Sequence, residues 1–408
     1  MFAPAFAPLG NPEAIVNTNL ALAFLAAGWD VEILTRDLSG MTDYMYAMEW
    51  ENSWLPLKNR THEIQYPGKK LTAIGDTLFQ GMRGGYLIEG CRWAMRAYDA
   101  ALVLHRKKPF DVVLSRAQPH VAHLGAMLFA GRVGIPWIAN WNDPIVHPSL
   151  ESNYPPLALG TIEKRFIARV ARDANLHTFP AERLKNHAGH YFPVLAERAR
   201  IIPHVAHAHT PSKPQLPRRI FTLCHVGNLG PGRDPEVLFR AVADLVRREN
   251  AADSVEMKFI GISSYDLAML AKKYQLEHML RFMGRLRHSE IQTHLDSADV
   301  LVVLEAPIQE GIYLPSKFVE YAETGTPVIA ISPRTGTLPD LLDQYGGGIA
   351  VDARSVEDVA HGIETLFRLW KDDRLSASFN SASLCSYFSP ERIIHEYEQM
   401  FSSVRIKA

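Results

Sequence analysis

Between residues 310 and 325 the sequence sets Glu310, Gly311, Pro315, Ser316, Lys317 and Glu320 ahead of Gly325. A lysine in the first turn of a helix makes an anion site, because the first backbone N–H groups have no partner inside the helix and the ammonium adds a full charge. Ser316 is the expected N-cap. Phe318, Tyr321 and Ala322 fall on one face at helical spacing, which leaves Lys317 and Glu320 to point elsewhere. A second cation, Arg233, follows a stretch holding Gly227, Gly230 and Gly232. Glycines there permit close backbone approach to a pyrophosphate, and a guanidinium fork suits its oxygens. The competing reading is an ordinary turn with a solvated arginine.

The elements that must hold these residues follow from the pattern around them. Val300 to Leu304 is a continuous apolar run, as a buried parallel strand requires; Gly325 ends the helix and Thr326-Pro327 leads into a second apolar run, Val328 to Ile331. This is a strand, loop, helix, strand unit, and ligands of open α/β sheets gather beyond the carboxyl ends of the strands. The same alternation recurs throughout. The chain opens with a strand end, a loop holding Pro8 and Gly10, a helix over about residues 12–27 and a strand at 31–35. Only Met1 to Phe6, with Pro4 inside, is available for the first strand, so that strand is frayed or the recorded start lacks a few residues. Further strands are expected at 111–115, 137–141, 176–179 and 201–202, then at 221–226, 258–261, 281–284 and 349–351, with helices between them.

The stretch VAHAHTPSKPQLP at 205–217 carries three prolines and little apolar pattern, and reads as a linker. It divides the chain into an N-terminal domain, 1–207, a linker, 208–217, a C-terminal domain, 218–388, and an amphipathic tail, 389–408. A length of 408 residues suits two domains, each with its own core. The net charge of −1 argues against a dedicated nucleic-acid binder. To residue 210 there are 21 Lys+Arg against 18 Asp+Glu, and 22 against 26 beyond it, a tilt with the sign expected if the first half meets anionic lipid or an anionic acceptor. Cys91, Cys224 and Cys385 have no paired spacing, which fits a reducing cytoplasm and no zinc site. No stretch reaches the ~20 apolar residues of a membrane span, and no basic region precedes the N-terminal apolar residues as in a signal peptide.

Residues 36–75 form a long polar connection with Tyr44, Tyr46, Trp50 and Trp54, suited either to stacking on sugar rings or to pinning the loop to the core. From Leu71 to Lys108 the pattern is helical, interrupted by Gly81, Gly84 and Gly85. Residues 81–108 hold six basic side chains against Glu89 and Asp99, a pattern that fits a membrane-surface helix or a domain helix with a solvated face.

The run SKFVEYAETGTPVIA resembles the donor-site signature of the retaining GT-B glycosyltransferases of family 4, in which a glutamate five residues before a glycine precedes a Pro-Val-Ile strand. The resemblance implies two Rossmann-like doubly wound parallel-sheet domains facing a central cleft, an acceptor-binding one first and a nucleotide-sugar-binding one second, with the last helix crossing back. It implies that Glu320 grips the ribose of a sugar nucleotide and that Arg233 takes the place of the family's lysine. Gly227, Asn228, Pro315, Ser316 and Lys317 would line the donor. The glycine loop at Gly10 is similar to the one that lies under the donor phosphates, with a plain turn as its alternative. PWIANWNDP resembles the family's strand ending near the reacting sugar, which puts Asp143 at the mouth of the cleft with His120 nearby; a satisfied core or surface histidine is the other role for His120. The family's first glutamate falls on Ile312, with Glu310 two residues off. Either the loop is longer or the chain belongs to a subgroup with a Pro-Ser-Lys motif, the reading favoured here.

No Asp-x-Asp follows a strand, and Asp372-Asp373 stands at a helix end, so fixed cations are expected in place of a metal, with no cofactor. The expectation is a glycosyltransferase moving a sugar with retention from a nucleoside diphosphate to a lipid-linked or polysaccharide acceptor. It would work in the cytoplasm, in peripheral contact with an anionic membrane at its inner face. The alternatives are a sugar-nucleotide 2-epimerase on the same fold and a non-catalytic sugar-nucleotide-binding protein.

Overall fold

The structure, a computed structural model, describes residues 1–38, 53–65, 71–206 and 219–405. The linker expected at 208–217 and the aromatic residues Tyr44, Tyr46 and Trp50 lie outside them. The chain divides into two compact units: one holds Met1–His147, Tyr154–Val205 and the chain from Ile393 on, the other Pro148–Asn153 and Ala206–Arg392.

In the first unit Phe2 bridges Leu34 and Ser115 in parallel. Its N–H donates to the Leu114 carbonyl and its carbonyl accepts from Arg116. The short opening segment thereby joins the pair Ile33–Arg36 and Thr61–Ile64 to the strands Val113–Ala117, Trp137–Trp141, Leu176–Phe179 and Ala199–Ile201, all parallel. The chain runs to one side of Phe2 and then to the other, so the order of strands reverses there. The helix Pro12–Ala26 starts from Asn11, whose Oδ1 accepts from Ala14 N at 2.7 Å, with proline at its first position. The core gathers Phe6, Leu20, Phe24, Ile33, Leu114 and Ile138, with Ile393, Tyr397 and Met400 of the last helix, Pro390–Arg405. Trp54 packs against this core. The helical stretch near residue 71 is two helices, Leu71–Gly84 and Cys91–Lys107, parted where Gly85 and Gly90 take positive φ.

In the second unit six parallel strands run in the order Gly348–Asp352, Val328–Ser332, Val300–Leu304, Phe221–Val226, Val255–Ile260, Leu280–Phe282. Strands buried on both faces need near-continuous apolar sequence, and Phe221–Val226, Val300–Leu304 and Val328–Ser332 are buried at every position. The chain extends the sheet to one side of Phe221–Val226 and then returns to the other at Val300–Leu304. That reversal opens a crevice beyond the carboxyl ends of these two strands.

Candidate functional site

The residues that leave those two strand ends face one another. After Val226 the backbone turns at Gly227 with φ +112, a conformation that side chains on Cβ rarely permit. A Cβ on Gly227 would stand 2.8 Å from Lys317 Nζ, and one on Gly261, at φ +126, would stand 2.5 Å from the Gly227 carbonyl oxygen. The turn is thus pressed between a second glycine and the lysine. On the other strand the chain leaves Leu304 at Glu305, whose N–H donates to the Ile331 carbonyl.

Lys317 comes from the helix Ser316–Thr324, which Tyr321 fixes in place. The Tyr321 hydroxyl accepts from Val226 N at 2.7 Å and donates to Val226 O at 3.2 Å, tying the helix to the strand end one turn beyond Lys317. Gly325 closes the helix in the left-handed conformation. The N-cap is Pro315, with no side-chain capping bond, and Ser316 is the first helical residue. The expected serine cap is absent because the residue before Ser316 already has the extended conformation, which a proline's fixed φ favours.

Electrostatics follow from crowding these groups. Burial first, then Arg233, holds the Lys317 ammonium down to about 7, while Glu320 and Glu305 pull it up. Burial pushes the Glu305 carboxyl up to about 7 against the pull of Arg233 and Lys317. Its Oε2 is buried with no hydrogen-bond partner among the described residues, and a Cβ on Gly311 would stand 3.3 Å from it. His225, the penultimate residue of its strand, is held well below its ordinary value by burial and then by Lys317. A buried acid without a hydrogen bond beside two cations is costly unless a ligand completes the set.

Of the residues singled out in the sequence, Gly227, Lys317, Arg233 and Glu320 come together here. Arg233, on the exposed turn where its N–H donates to the Gly230 carbonyl, acts on Lys317, His225 and Glu305. Asn228 turns aside: its Oδ1 accepts from Ile262 N at 3.2 Å and secures the neighbouring loop. Ile312 is buried in the core, and Glu310 accepts from Asn153 Nδ2 at 3.4 Å. Glu305 and His225 were not singled out. Each sits at the end of an apolar strand, and position after a parallel strand was the available signal.

The first unit holds a second cluster. Asp143 follows the strand Trp137–Trp141; burial raises its carboxyl, and His147 counters that. His120 is held down to about 4 by burial and then by His147, and its ring lies 5.4 Å from that of Trp141. Gly10 precedes the capping residue Asn11. Glu13, in the first turn of the following helix, accepts from Asn142 Nδ2 at 2.7 Å. Its carboxyl is pushed up to about 8, chiefly by burial, with Arg116 pulling down and Asp143 pushing up. Arg116, nearly fully buried, donates from Nε to Asn17 Oδ1 at 2.6 Å. Among the described residues no three His, Cys, Asp or Glu side chains cluster as metal ligands.

Two Rossmann-like parallel-sheet domains in one chain, with polar groups at the switch point of each sheet, define the GT-B fold. Residues 210–381 match the family described as Glycosyl transferases group 1. Over 180 residues, 43% of this chain, the sequence is 26% identical to the D-inositol 3-phosphate glycosyltransferase of Corynebacterium kroppenstedtii, and it spans 38% of that protein's length. The protein of the same description from Corynebacterium jeikeium is 29% identical over 167 residues, 39% of this chain and 38% of its own. Among solved structures, sucrose-phosphate synthase from Thermosynechococcus elongatus superposes with a TM-score of 0.67 at 15% identity, over 100% of this chain and 98% of the other. HepE of Anabaena, in complex with UDP and glucose, superposes with a TM-score of 0.63 at 13% identity, over 98% of each chain.

Proposed function

We propose that the chain is a glycosyltransferase that moves a sugar, with retention and without a metal, from a nucleoside-diphosphate sugar to a lipid-linked or glycan acceptor. The observation that carries this reading is the convergence of Lys317, Arg233 and Glu305 on the Gly227 turn at the sheet's switch point. The relatives named above support it, as glycosyltransferases by description and as a neighbour that holds UDP and glucose. In the transfer the bond from C1 of the sugar to the β-phosphate oxygen breaks and the acceptor oxygen bonds to C1. The departing phosphate takes the acceptor's proton on the same face. Charge grows on that phosphate, where Lys317, Arg233 and the helix start at Ser316 stabilise it. Glu320 holds the ribose hydroxyls by accepting their hydrogen bonds, and Glu305 keeps Lys317 charged. Asp143, His120 and Glu13 belong to the acceptor side. The work takes place in the cytoplasm, at the inner face of the membrane.

The test is to incubate the protein with a panel of sugar nucleotides that includes UDP-glucose, with and without lipid-linked and glycan acceptors, and to measure nucleoside diphosphate release. Acceptor-dependent release is the expected result. Conversion of the sugar without release would favour the 2-epimerase, and saturable binding without turnover the non-catalytic binder.

A further inference from the structure

The carboxyl end of the first unit's sheet gathers hydrogen-bond acceptors and leaves some of them without donors. Three elements bring them together. The strand Trp137–Trp141 runs out at Asn142, whose N–H donates to the Ala117 carbonyl at 3.1 Å, so Asp143 follows beside the end of the strand Val113–Ala117. The helix Pro12–Ala26 sets Glu13, in its first turn, against the same place. Asn142 Nδ2 donates to Glu13 Oε1 at 2.7 Å, and Asp143 stands near enough to push the Glu13 carboxyl up. Both carboxyls are half-buried, so a ligand can reach them. Asn142 itself is 7% exposed, and its Oδ1, the other end of the amide that holds Glu13, is buried with no hydrogen-bond partner among the described residues. The same holds for His120 Nε2, on the loop after Val113–Ala117. Such atoms are costly to bury unless something completes them.

The charges around this place decide what completes it. Arg116, the cation that acts on Glu13, is 3% exposed and already engaged: its Nε donates to Asn17 Oδ1 at 2.6 Å, and it is hydrogen-bonded with Tyr397 of the last helix. Asn17 is the second side chain that bonds Glu13. His147 is the titratable group that acts on Asp143 and on His120. A phosphate or carboxylate would bring more acceptors, and like charge, to two carboxyls and an unpartnered amide oxygen. A sugar hydroxyl gives one hydrogen bond and leaves Glu13 and Asp143 repelling each other. An ammonium brings three donors and a full positive charge, which relieves that repulsion and lets both carboxyls ionise.

We propose that the acceptor this site takes is an amino sugar, whose ammonium group is held by Glu13, Asp143 and the Asn142 side-chain oxygen. The inference deepens the sugar-transfer reading and rests on it for the ligand's role as acceptor, while the binding itself is measured without turnover. Three β-1,4-linked trimers, of glucosamine, of glucose and of N-acetylglucosamine, are titrated calorimetrically into the full chain at pH 6, where the amines are protonated. The glucosamine trimer is expected to bind tighter than either neutral trimer by on the order of tenfold, the usual worth of a hydrogen bond to a charged group. Glu13→Gln and Asp143→Asn should each narrow that ratio to within a factor of a few, with circular dichroism and the urea midpoint checking that the variants are folded. A neutral trimer that binds as tightly as the glucosamine trimer overturns the proposal, as does no binding of the glucosamine trimer or a preference that the folded variants keep. UDP release from UDP-glucose is then measured with each trimer. Release driven by the neutral trimers alone would keep the transfer reading and sink this one, and an amino preference in binding with no release by any trimer would keep the ammonium site and sink the transfer reading.

Discussion

Lys317 Nζ stands 3.4 Å from His225 Nε2, and His225 Nδ1 stands 2.9 Å from the Val302 carbonyl oxygen. A carbonyl only accepts, so Nδ1 carries the proton and donates it; Nε2 is left as an acceptor turned to the lysine. Burial, then the lysine, keeps the ring neutral. The strand Phe221–Val226 therefore supplies a fixed, uncharged acceptor beside the Lys317 ammonium.

Lys317→Ala is expected to lower turnover on the order of 100- to 1,000-fold, the usual cost of removing one donor to a developing oxyanion. Its urea midpoint should hold or rise, because the substitution removes a cation that burial already disfavours. Lys317→Arg should not rescue it, since a larger guanidinium that cannot lose its proton replaces a compact ammonium. Turnover in either variant within a factor of a few of the unsubstituted protein would take Lys317 out of the proposed mechanism.

Glu305→Gln should show in pH profiles. With its carboxyl raised from 4.5 to about 7, Glu305 binds protons in the folded state that the unfolded chain has released, so its contribution to stability falls as pH rises from about 4.5 to 7. The glutamine variant should lose that part of the decline in urea titrations across the window. Removing the carboxylate also takes away one of the charges that raise Lys317, so donor affinity should start to fall at a lower pH than before. Isothermal titration with a nucleoside diphosphate across pH 6 to 9 reads the shift, and identical profiles would separate Glu305 from Lys317.

What the sequence disclosed of this site follows from which signals are local. Val300–Leu304 and Val328–Ser332 were legible because a strand covered on both faces must be apolar throughout, and Gly325 because a helix stop in the left-handed conformation favours glycine. Lys317 was legible because charge at a helix start has a local meaning. Glu305 and His225 were not, since an acid or histidine beside an apolar run declares nothing until the sheet order shows which strand ends are neighbours. Glu13 was missed for the same reason: its partners Asn142 and Arg116 lie more than a hundred residues away. Asn228 and Ser316 show the converse, since both types suit a role that the local backbone then assigned differently. In the helix Leu71–Gly84 the period was helical, but which face turned inward depended on Arg92 and Arg96 of the next helix.

Glu320→Ala should weaken nucleoside-diphosphate binding about 10- to 100-fold, the loss of hydrogen bonds made to a charged acceptor, while kcat at saturating donor changes little. A 2′-deoxyribose donor should lose part of the same energy with the unsubstituted protein and little more with the variant. Unchanged affinity in Glu320→Ala would place the carboxylate outside the pocket.

Gly227→Ala should cost both stability and activity, for two reasons that a double-mutant cycle separates. At φ +112 an alanine is strained by about 1–3 kcal/mol, whatever surrounds it. Its Cβ would also stand 2.8 Å from Lys317 Nζ, so the ammonium must leave its place beside His225. The backbone at Gly227 is itself tied down, since its N–H donates to the Ile260 carbonyl at 2.8 Å. Lys317→Ala removes the second cost and leaves the first. The doubly substituted protein should therefore be less destabilised than the sum of the two single changes, with the strain remaining. Urea midpoints of the four proteins measure this, and strict additivity would mean that the lysine does not rest on that turn.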